Sequence, residues 1–209
     1  MFVTNRRLES RASLEHDVKR MKPVKIAAEI RLIHRAMMVV PNTHRVLNVP
    51  CGGGSVMLDL AQRGYAVTGA DVSEEIVNIA RQAVAASGLR CPVHRGDLQR
   101  LTFPDGSFDT VICFGLFHKL PTPELRQLII GELCRVSRHY LLLSYINPWS
   151  YLSLSRTLRV VLGVNKPDRR TTSLKDLKDC CAHAGFELLK DFAQSPLPQA
   201  LHLAMWKRK

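Results

Sequence analysis

The chain has 209 residues, with 30 Lys and Arg against 18 Asp and Glu and a formal net charge of +12. This length suits one domain with a full core, and the hydrophobic content of 46% is ordinary for a globular protein. No apolar run approaches the roughly 18 residues that span a membrane, and residues 1–20 contain no signal-peptide core, which excludes a membrane-spanning protein and predicts a cytoplasmic location.

The positive charge is concentrated at the two ends of the chain. Residues 1–50 carry 10 Lys and Arg against 4 Asp and Glu, and residues 140–209 carry 11 against 5. Residues 51–139 are balanced at 9 against 9. Basic flanks fit contact with an anionic surface, a nucleic acid or an anionic substrate, and they equally fit a basic surface without a partner.

The six cysteines indicate packing and not metal binding. None forms a C-x-x-C pair, and no histidine follows at zinc-ligand spacing, so no metal site is predicted. Cys180 and Cys181 are adjacent and point to different faces of a predicted helix, which favours core packing over a redox pair.

The first predicted helix begins at Pro23, a favourable first-turn residue, and ends near Met38, ahead of Pro41. Residues 1–21 before it are polar and irregular. We predict that residues 1–41 form an N-terminal helical cap and that residues 42–209 form the main domain.

The stretch from Val46 to Asp71 predicts a strand, a glycine-rich turn, a helix and a second strand that ends in an acid. Gly52 and Gly54 allow a ligand to approach the backbone closely, and the helix N-terminus offers free N–H groups. An acid at the tip of the second strand is placed to accept the hydroxyls of a ribose. The unit therefore predicts a nucleoside-cofactor site.

The turn differs from two common nucleotide-binding motifs. Pro50 stands where the G-x-G-x-x-G fingerprint has its first glycine, and no Gly-Lys-Ser/Thr follows as in a P-loop. The residues instead resemble motif I of the class I S-adenosylmethionine (SAM)-dependent methyltransferases, V-L-D-x-G-C-G-x-G. Asn48 replaces the usual Asp and Pro50 the usual Gly, so we expect a weaker contact with the cofactor's ammonium group.

This resemblance implies SAM as the cofactor and a binding site along the first four strands. Asp71 would hold the ribose, while Asp97 and the backbone N–H of Leu98 would bind the adenine; an Asp97 that caps its own turn is the alternative. The implied cofactor-binding residues are Asn48, Pro50, Cys51, Gly52, Gly54, Asp71, Val72, Asp97, Leu98 and Phe114.

The segment around the fourth strand indicates the subclass. Residues 101–111, L-x-F-x-D-G-S-F-D-x-V, are similar to small-molecule methyltransferases. The D/N-P-P-Y/F motif of enzymes that methylate a flipped base is missing after this strand. His118 falls where many small-molecule members have a histidine, and we predict it either as a proton acceptor in catalysis or as a packed structural residue.

The remaining chain completes an alternation of strands and helices. A helix follows Thr122, and residues 140–146 are a continuous apolar strand. Residues 147–172 interrupt the alternation with a basic amphipathic segment, predicted either as a substrate cover or as a helix docked on the sheet. Ser173 caps the last helix, and two strands over 186–192 and 200–206 predict a terminal antiparallel hairpin.

We therefore predict an α/β fold: a doubly wound, Rossmann-like sheet of seven strands, mostly parallel, with an antiparallel C-terminal hairpin strand and helices on both faces. The predicted function is methyl transfer from SAM to a small-molecule or lipid-linked acceptor, including an anionic one. RNA methylation and non-catalytic SAM binding are the alternatives within this fold, and a nucleotide-binding oxidoreductase is a third.

Overall fold

A computed structural model describes residues 23–147, 172–193 and 201–209. The helices of these residues are α1 (Pro23–Met37), α2 (Ser55–Gln62), α3 (Glu74–Ser87), α4 (Pro123–Val136), α5 (Leu174–His183) and a short 3₁₀ helix (Phe117–Lys119). The strands are β1 (Arg45–Asn48), β2 (Ala66–Asp71), β3 (Val93–Arg95), β4 (Phe108–Cys113), β5 (Ser137–Ile146), β6 (Phe186–Ala193) and β7 (Leu201–Arg208).

All seven strands form one sheet in the order β3-β2-β1-β4-β5-β7-β6. The first five strands in this order pair in parallel, and β7 runs antiparallel to both of its neighbours. The predicted seven-stranded sheet with an antiparallel C-terminal hairpin is confirmed. β5 begins earlier than its apolar run indicates, because Ser137 already pairs with Phe108 ahead of a register shift between Phe108 and Thr110.

Side-chain caps define the starts of three helices. The hydroxyl of Ser73 accepts from the Ile76 N–H before α3, and Thr122 accepts from the Leu125 N–H before α4. Ser173 forms a capping box with Asp176 before α5. Each cap satisfies backbone donors that lack an intrahelical partner, which explains why the helices begin where the sequence predicts.

The two faces of the sheet carry separate hydrophobic clusters. Helices α4 and α5 cover one face, where Leu133 and Cys181 pack against residues such as Trp206. Helices α1, α2 and α3 cover the other face, where Ile33 and Met57 pack in the cluster that contains Met205. Helices on both faces are therefore confirmed. The boundary between a cap and a domain at residue 41 stays a prediction.

The strand directions bring many strand ends to one edge of the sheet. The carboxyl ends of β1, β2, β4 and β5 lie there because these strands are parallel. The start of β7 and the end of β6 reach the same edge, since Leu201 pairs with Ile146 and His202 pairs with Ala193. The predicted substrate cover at 147–172 and the hairpin connection lie almost wholly outside the described residues. Within those residues, no helix is long and apolar enough to cross a membrane.

Candidate cofactor site

The glycine turn after β1 is held against β2 by backbone hydrogen bonds. The Cys51 N–H donates to the Ala70 carbonyl at 2.8 Å, and the Gly54 N–H donates to the Cys51 carbonyl at 3.1 Å. The turn follows a cis Val49–Pro50 peptide bond. Gly54 precedes α2 with φ of 89°, a left-handed conformation that favours glycine, and no side chain caps the helix. The first N–H groups of α2 therefore have no side-chain acceptor within the helix start.

Close packing under the turn depends on a glycine in β2. A Cβ atom at Gly69 would lie 2.7 Å from the Met57 sulfur and 3.2 Å from the Cys51 Cβ. The absence of that atom lets Cys51 sit between the turn and the sheet with 6% of its surface exposed. Burial raises the pKa of the Cys51 thiol to about 12, with a further contribution from the Asp71 carboxylate. Cys51 is thus a neutral packing residue and not a nucleophile.

Asp71 ends β2 beside the glycine turn and is 7% exposed. One carboxylate oxygen accepts from the Gly52 N–H at 3.2 Å, and the other accepts from the Ser73 N–H at 3.2 Å. Burial raises the pKa of Asp71, while these N–H groups, the Val72 N–H and the charge of Lys119 act in the opposite direction. The carboxylate is therefore oriented by backbone donors at the strand end.

Asn48 lies at the end of β1 and is 1% exposed. Its side-chain oxygen is buried and has no hydrogen-bond partner among the residues that the structure describes. A buried polar atom without a partner is costly in a folded protein, so it commonly marks a binding site or an ordered water. Asn48 is thus a polar group available below the glycine turn.

The chain after β3 reaches the same edge of the sheet as Asp71. The Gly96 N–H donates to the Asp71 carbonyl at 2.9 Å, so Asp97 begins the turn directly beyond this contact. The Asp97 carboxylate is exposed and accepts from the Gln99 N–H at 2.9 Å. This hydrogen bond caps the turn, which is the alternative role predicted for Asp97. The other carboxylate oxygen of Asp97 is left for a ligand. The Leu98 side chain is buried in the core.

A serine that sequence reasoning missed supports the end of β4. Ser144, in β5, is 1% exposed, and its hydroxyl accepts from the Gly115 N–H at 2.7 Å. Phe114, immediately before this contact, is half-buried against the cluster that contains Ile33 and Met57. A single serine inside the apolar run of β5 is the signal that could have indicated this role.

His118 lies in the 3₁₀ helix that follows β4 and is half-buried. Fully buried Phe117 anchors this helix in the α4–α5 cluster. The adjacent Lys119, which sequence reasoning did not single out, carries a charge that offsets part of the rise that burial causes in the pKa of Asp71. The segment after β4 is therefore electrostatically coupled to the strand-end acid. A role for His118 in catalysis stays a prediction.

A seven-stranded sheet of this order, with an acid at the end of β2 facing a glycine turn after β1, defines a class I methyltransferase fold. Residues 46–139 match a family model described as a methyltransferase domain, and this range holds the glycine turn, Asp71, Asp97 and His118. Residues 46–139 are therefore similar to a methyltransferase domain, and the whole described sheet has the fold of class I SAM-dependent methyltransferases.

Two curated relatives are similar to about half of the chain. The ubiquinone biosynthesis O-methyltransferase of Coxiella burnetii is 30% identical over 105 residues, which cover 50% of this chain and 45% of the relative. The phosphatidylethanolamine N-methyltransferase of Cereibacter sphaeroides is 40% identical over 97 residues, 45% of each chain. The chain thus spans about half the length of the curated relatives it matches.

A solved structure extends the likeness beyond the matched segment. The magnesium protoporphyrin IX methyltransferase of Synechocystis, crystallised with bound SAH, has a TM-score of 0.68 and 25% identity to this chain. The match covers 89% of this chain and 82% of the other. The likeness includes the fold of the C-terminal part, which the family model does not reach.

Proposed function

We propose that this protein transfers a methyl group from SAM to a small-molecule or lipid-linked acceptor. The observation that carries the proposal is the Asp71 carboxylate, which backbone N–H groups orient at the end of β2 beside an open glycine turn. The match of residues 46–139 to a methyltransferase domain supports the proposal, and so does the fold. The similar Synechocystis enzyme was crystallised with bound SAH.

The residues present fit an adenosyl amino-acid cofactor. Asp71 is an acceptor for the ribose hydroxyls. The turn from Pro50 to Gly54 is proposed to approach the amino-acid part, where the uncapped start of α2 offers backbone N–H groups to a carboxylate. The unpartnered oxygen of Asn48 suits a hydrogen bond from an ammonium group. Asp97 and Leu98 are proposed to bind the adenine, with Val72 beside the ribose and Phe114 beside the methionine part.

SAM supplies the electrophilic methyl group, and this chain's contribution is positioning and exclusion of water. The buried Asp71 and the rigid turn fix one end of the cofactor, while the segment after β4 lies toward the acceptor. His118, in that segment, is the candidate proton acceptor that the sequence predicts.

A small-molecule or lipid-linked acceptor agrees with the names of the two relatives, one of ubiquinone biosynthesis and one acting on phosphatidylethanolamine. The basic flanks suit an anionic acceptor or an anionic membrane surface. RNA methylation has only the net charge in its favour, and it predicts RNA binding that weakens steeply with added salt.

Calorimetry with SAM, SAH and NADH tests the proposal. We expect SAM and SAH to bind in the micromolar range or tighter and NADH to show no heat of binding. NADH binding in preference to SAM would indicate an oxidoreductase and contradict the proposal. SAM binding without transfer of a labelled methyl group to any extract fraction would indicate a non-catalytic SAM-binding protein.

A further inference from the structure

Three polar side chains from three neighbouring strands form a hydrogen-bonded cluster away from the cofactor residues. One oxygen of Asp191, in β6, accepts from the Tyr145 hydroxyl at 2.9 Å. The same oxygen lies 2.8 Å from Nδ1 of His202, in β7. The rings of Tyr145 and His202 are 5.3 Å apart, centre to centre. We call these three residues the Tyr–Asp–His cluster.

The contacts determine where the protons lie. Burial and the nearby Asp191 carboxylate raise the pKa of Tyr145, so its hydroxyl stays protonated and donates to Asp191. An ionised carboxylate only accepts hydrogen bonds, so Nδ1 of His202 carries a proton in this contact. In the neutral ring, Nε2 then holds the free electron pair. Among residues 23–147, 172–193 and 201–209, none forms a hydrogen bond with Nε2 of His202.

The cluster lies at the edge of the sheet that carries the cofactor site. His202 is the second residue of β7 and pairs with Tyr145, the penultimate residue of β5. Only β5 separates β7 from β4 in the sheet. Neighbouring strands are about 4.8 Å apart, so His202 lies about 10 Å along this edge from the end of β4. Asp71 ends β2, which lies on the other side of β4. With the cofactor on that side, we place the acceptor over the ends of β5 and β7.

The Tyr–Asp–His cluster is not needed to hold the three strands together. β5, β7 and β6 are already joined by continuous ladders of backbone hydrogen bonds. The second oxygen of Asp191 is buried without a partner among the described residues, which is unfavourable in a folded protein. His202 keeps 15% of its side chain exposed. A carboxylate that orients a histidine with a free Nε2 is an arrangement suited to proton transfer.

We propose that His202 is the proton acceptor for a methyl acceptor that reacts through a hydroxyl oxygen. This assignment rests on the proposed methyl transfer. The acceptor oxygen forms a bond to the methyl carbon as the bond from that carbon to the sulfonium sulfur breaks. The hydroxyl proton moves to Nε2 of His202, and the sulfur leaves as a neutral thioether. Asp191 is a positioning residue that holds the ring and stabilises the imidazolium, and Tyr145 holds Asp191.

The tautomer of the His202 ring can be tested without any turnover. Two-bond ¹H–¹⁵N correlation spectra of the ligand-free protein, recorded at a pH where histidine rings are neutral, are expected to show His202 protonated at Nδ1, and Asp191→Asn is expected to abolish this preference. A ring protonated at Nε2 in the wild-type protein overturns the proposal, whether or not SAM binds.

Methyl transfer provides the second test, with SAM carrying a deuterated methyl group and extract fractions as the source of acceptors. His202→Gln is expected to lower the rate of product labelling at least about 100-fold. The affinity for SAM, measured by calorimetry, should stay within about twofold of the wild-type value. Asp191→Asn should lower kcat with little change in the KM of the labelled acceptor. His183→Gln, an exposed histidine of α5, is the matched control and should leave labelling unchanged.

The outcomes separate the two proposals. A wild-type protein that does not bind SAM contradicts the proposed function, while the tautomer measurement still tests His202. Any of three results overturns the role of His202. The label is found on nitrogen or carbon, His202→Gln keeps full activity, or a wild-type protein that binds SAM gives no labelled product. Loss of labelling in His118→Gln with full activity in His202→Gln assigns proton transfer to His118. Thermal melting of each variant excludes unfolding as the cause of lost labelling.

Discussion

The Gly52 N–H donates a hydrogen bond to the Asp71 carboxylate at 3.2 Å and so joins the glycine turn to the end of β2. Gly52 lies in the turn after β1 and Asp71 is the last residue of β2. The other oxygen of the carboxylate accepts from the Ser73 N–H, so donors from two loops orient it. A ligand that contacts Asp71 therefore also lies against the turn. This relationship makes Asp71 the most informative residue for mutation.

Replacement of Asp71 by Asn should weaken SAM binding about 10- to 100-fold, because the ribose loses a charged acceptor while the side-chain shape is kept. Calorimetry measures the effect. Asp105→Asn is the matched control, since the Asp105 side chain is 82% exposed and should leave SAM binding unchanged. Equal SAM affinity of Asp71→Asn and the wild-type protein would exclude Asp71 from the cofactor site.

The same variant should change the pH dependence of the melting temperature when no ligand is present. Because burial raises the folded-state pKa of Asp71, stability from this group is present at low pH and is lost as the pH rises through that pKa. An Asn side chain does not titrate, and it has one acceptor oxygen where the carboxylate accepts from both Gly52 and Ser73, so only the wild-type protein carries this pH dependence. Calorimetric melting curves at pH 7 and pH 4 check the sign: the melting temperature of the wild-type protein relative to the variant should be higher at pH 4 than at pH 7.

Cys51 should resist alkylation in the folded protein. With its pKa raised to about 12 and 6% of its surface exposed, the thiol is almost entirely protonated at pH 8. Mass spectrometry after treatment with iodoacetamide should show Cys51 unmodified, and the protein unfolded in urea should be fully modified. Rapid labelling of native Cys51 would contradict the packing under the turn.

Gly69→Ala should destabilise the protein by about 1–3 kcal/mol, since the new methyl group would overlap the Met57 sulfur and crowd Cys51. The matched control is Gly131→Ala in α4, where an added Cβ meets nothing within 4 Å. Alanine in a helix is favoured over glycine, so the control should gain about 0.5–1 kcal/mol. Urea denaturation measures both values, and a loss of stability in both variants would contradict the local explanation for Gly69.

Arg135→Lys should cost about 1–3 kcal/mol, because Arg135 donates to the carbonyls of Leu101 and Phe103 and pairs with Glu132. A lysine cannot make these contacts together. Arg138→Lys is the control, since the Arg138 side chain is 54% exposed and lies 3.9 Å from its partner. Its effect should stay within about 0.5 kcal/mol.

The pH dependence of this pair provides a second check. The hydrogen bond from Arg135 lowers the folded-state pKa of Glu132. Stability from Glu132 is therefore present above its unfolded pKa and is lost as the pH falls through the folded value. The difference in unfolding free energy between the wild-type protein and Arg135→Lys should be largest near neutral pH and smaller below pH 4. A difference in unfolding free energy that does not change with pH would show that the pair with Glu132 does not cause the loss of stability in Arg135→Lys.

The position of the candidate cofactor site could be proposed from the sequence because its signals are local. The turn with Gly52 and Gly54, and the acid that ends the next strand, stand within about twenty residues of one another. Parallel strands then bring their carboxyl ends to one edge, so the approximate meeting of Asp71 and the turn follows from strand order alone. The contact at 3.2 Å and the cap made by Asp97 required coordinates.

The Tyr–Asp–His cluster could not be predicted in the same way. Tyr145 and His202 are paired residues of two antiparallel strands, and Asp191 comes from a third strand. No short motif contains them, and each is an ordinary residue of its own strand. Their meeting depends on strand register, since a slip of one residue would turn a side chain to the opposite face of the sheet.

Hydrophobic periodicity, helix caps and turn glycines predicted the alternation of strands and helices, because each acts over a few neighbouring residues. The resemblance to class I methyltransferases implied the seven-stranded sheet with its antiparallel hairpin. Tertiary structure alone decided which polar groups meet: the Ser144 hydroxyl with the Gly115 N–H, and the Asp191 carboxylate with Tyr145 and His202. Such contacts join residues far apart in the chain, and their geometry is determined by the packing of whole strands and helices.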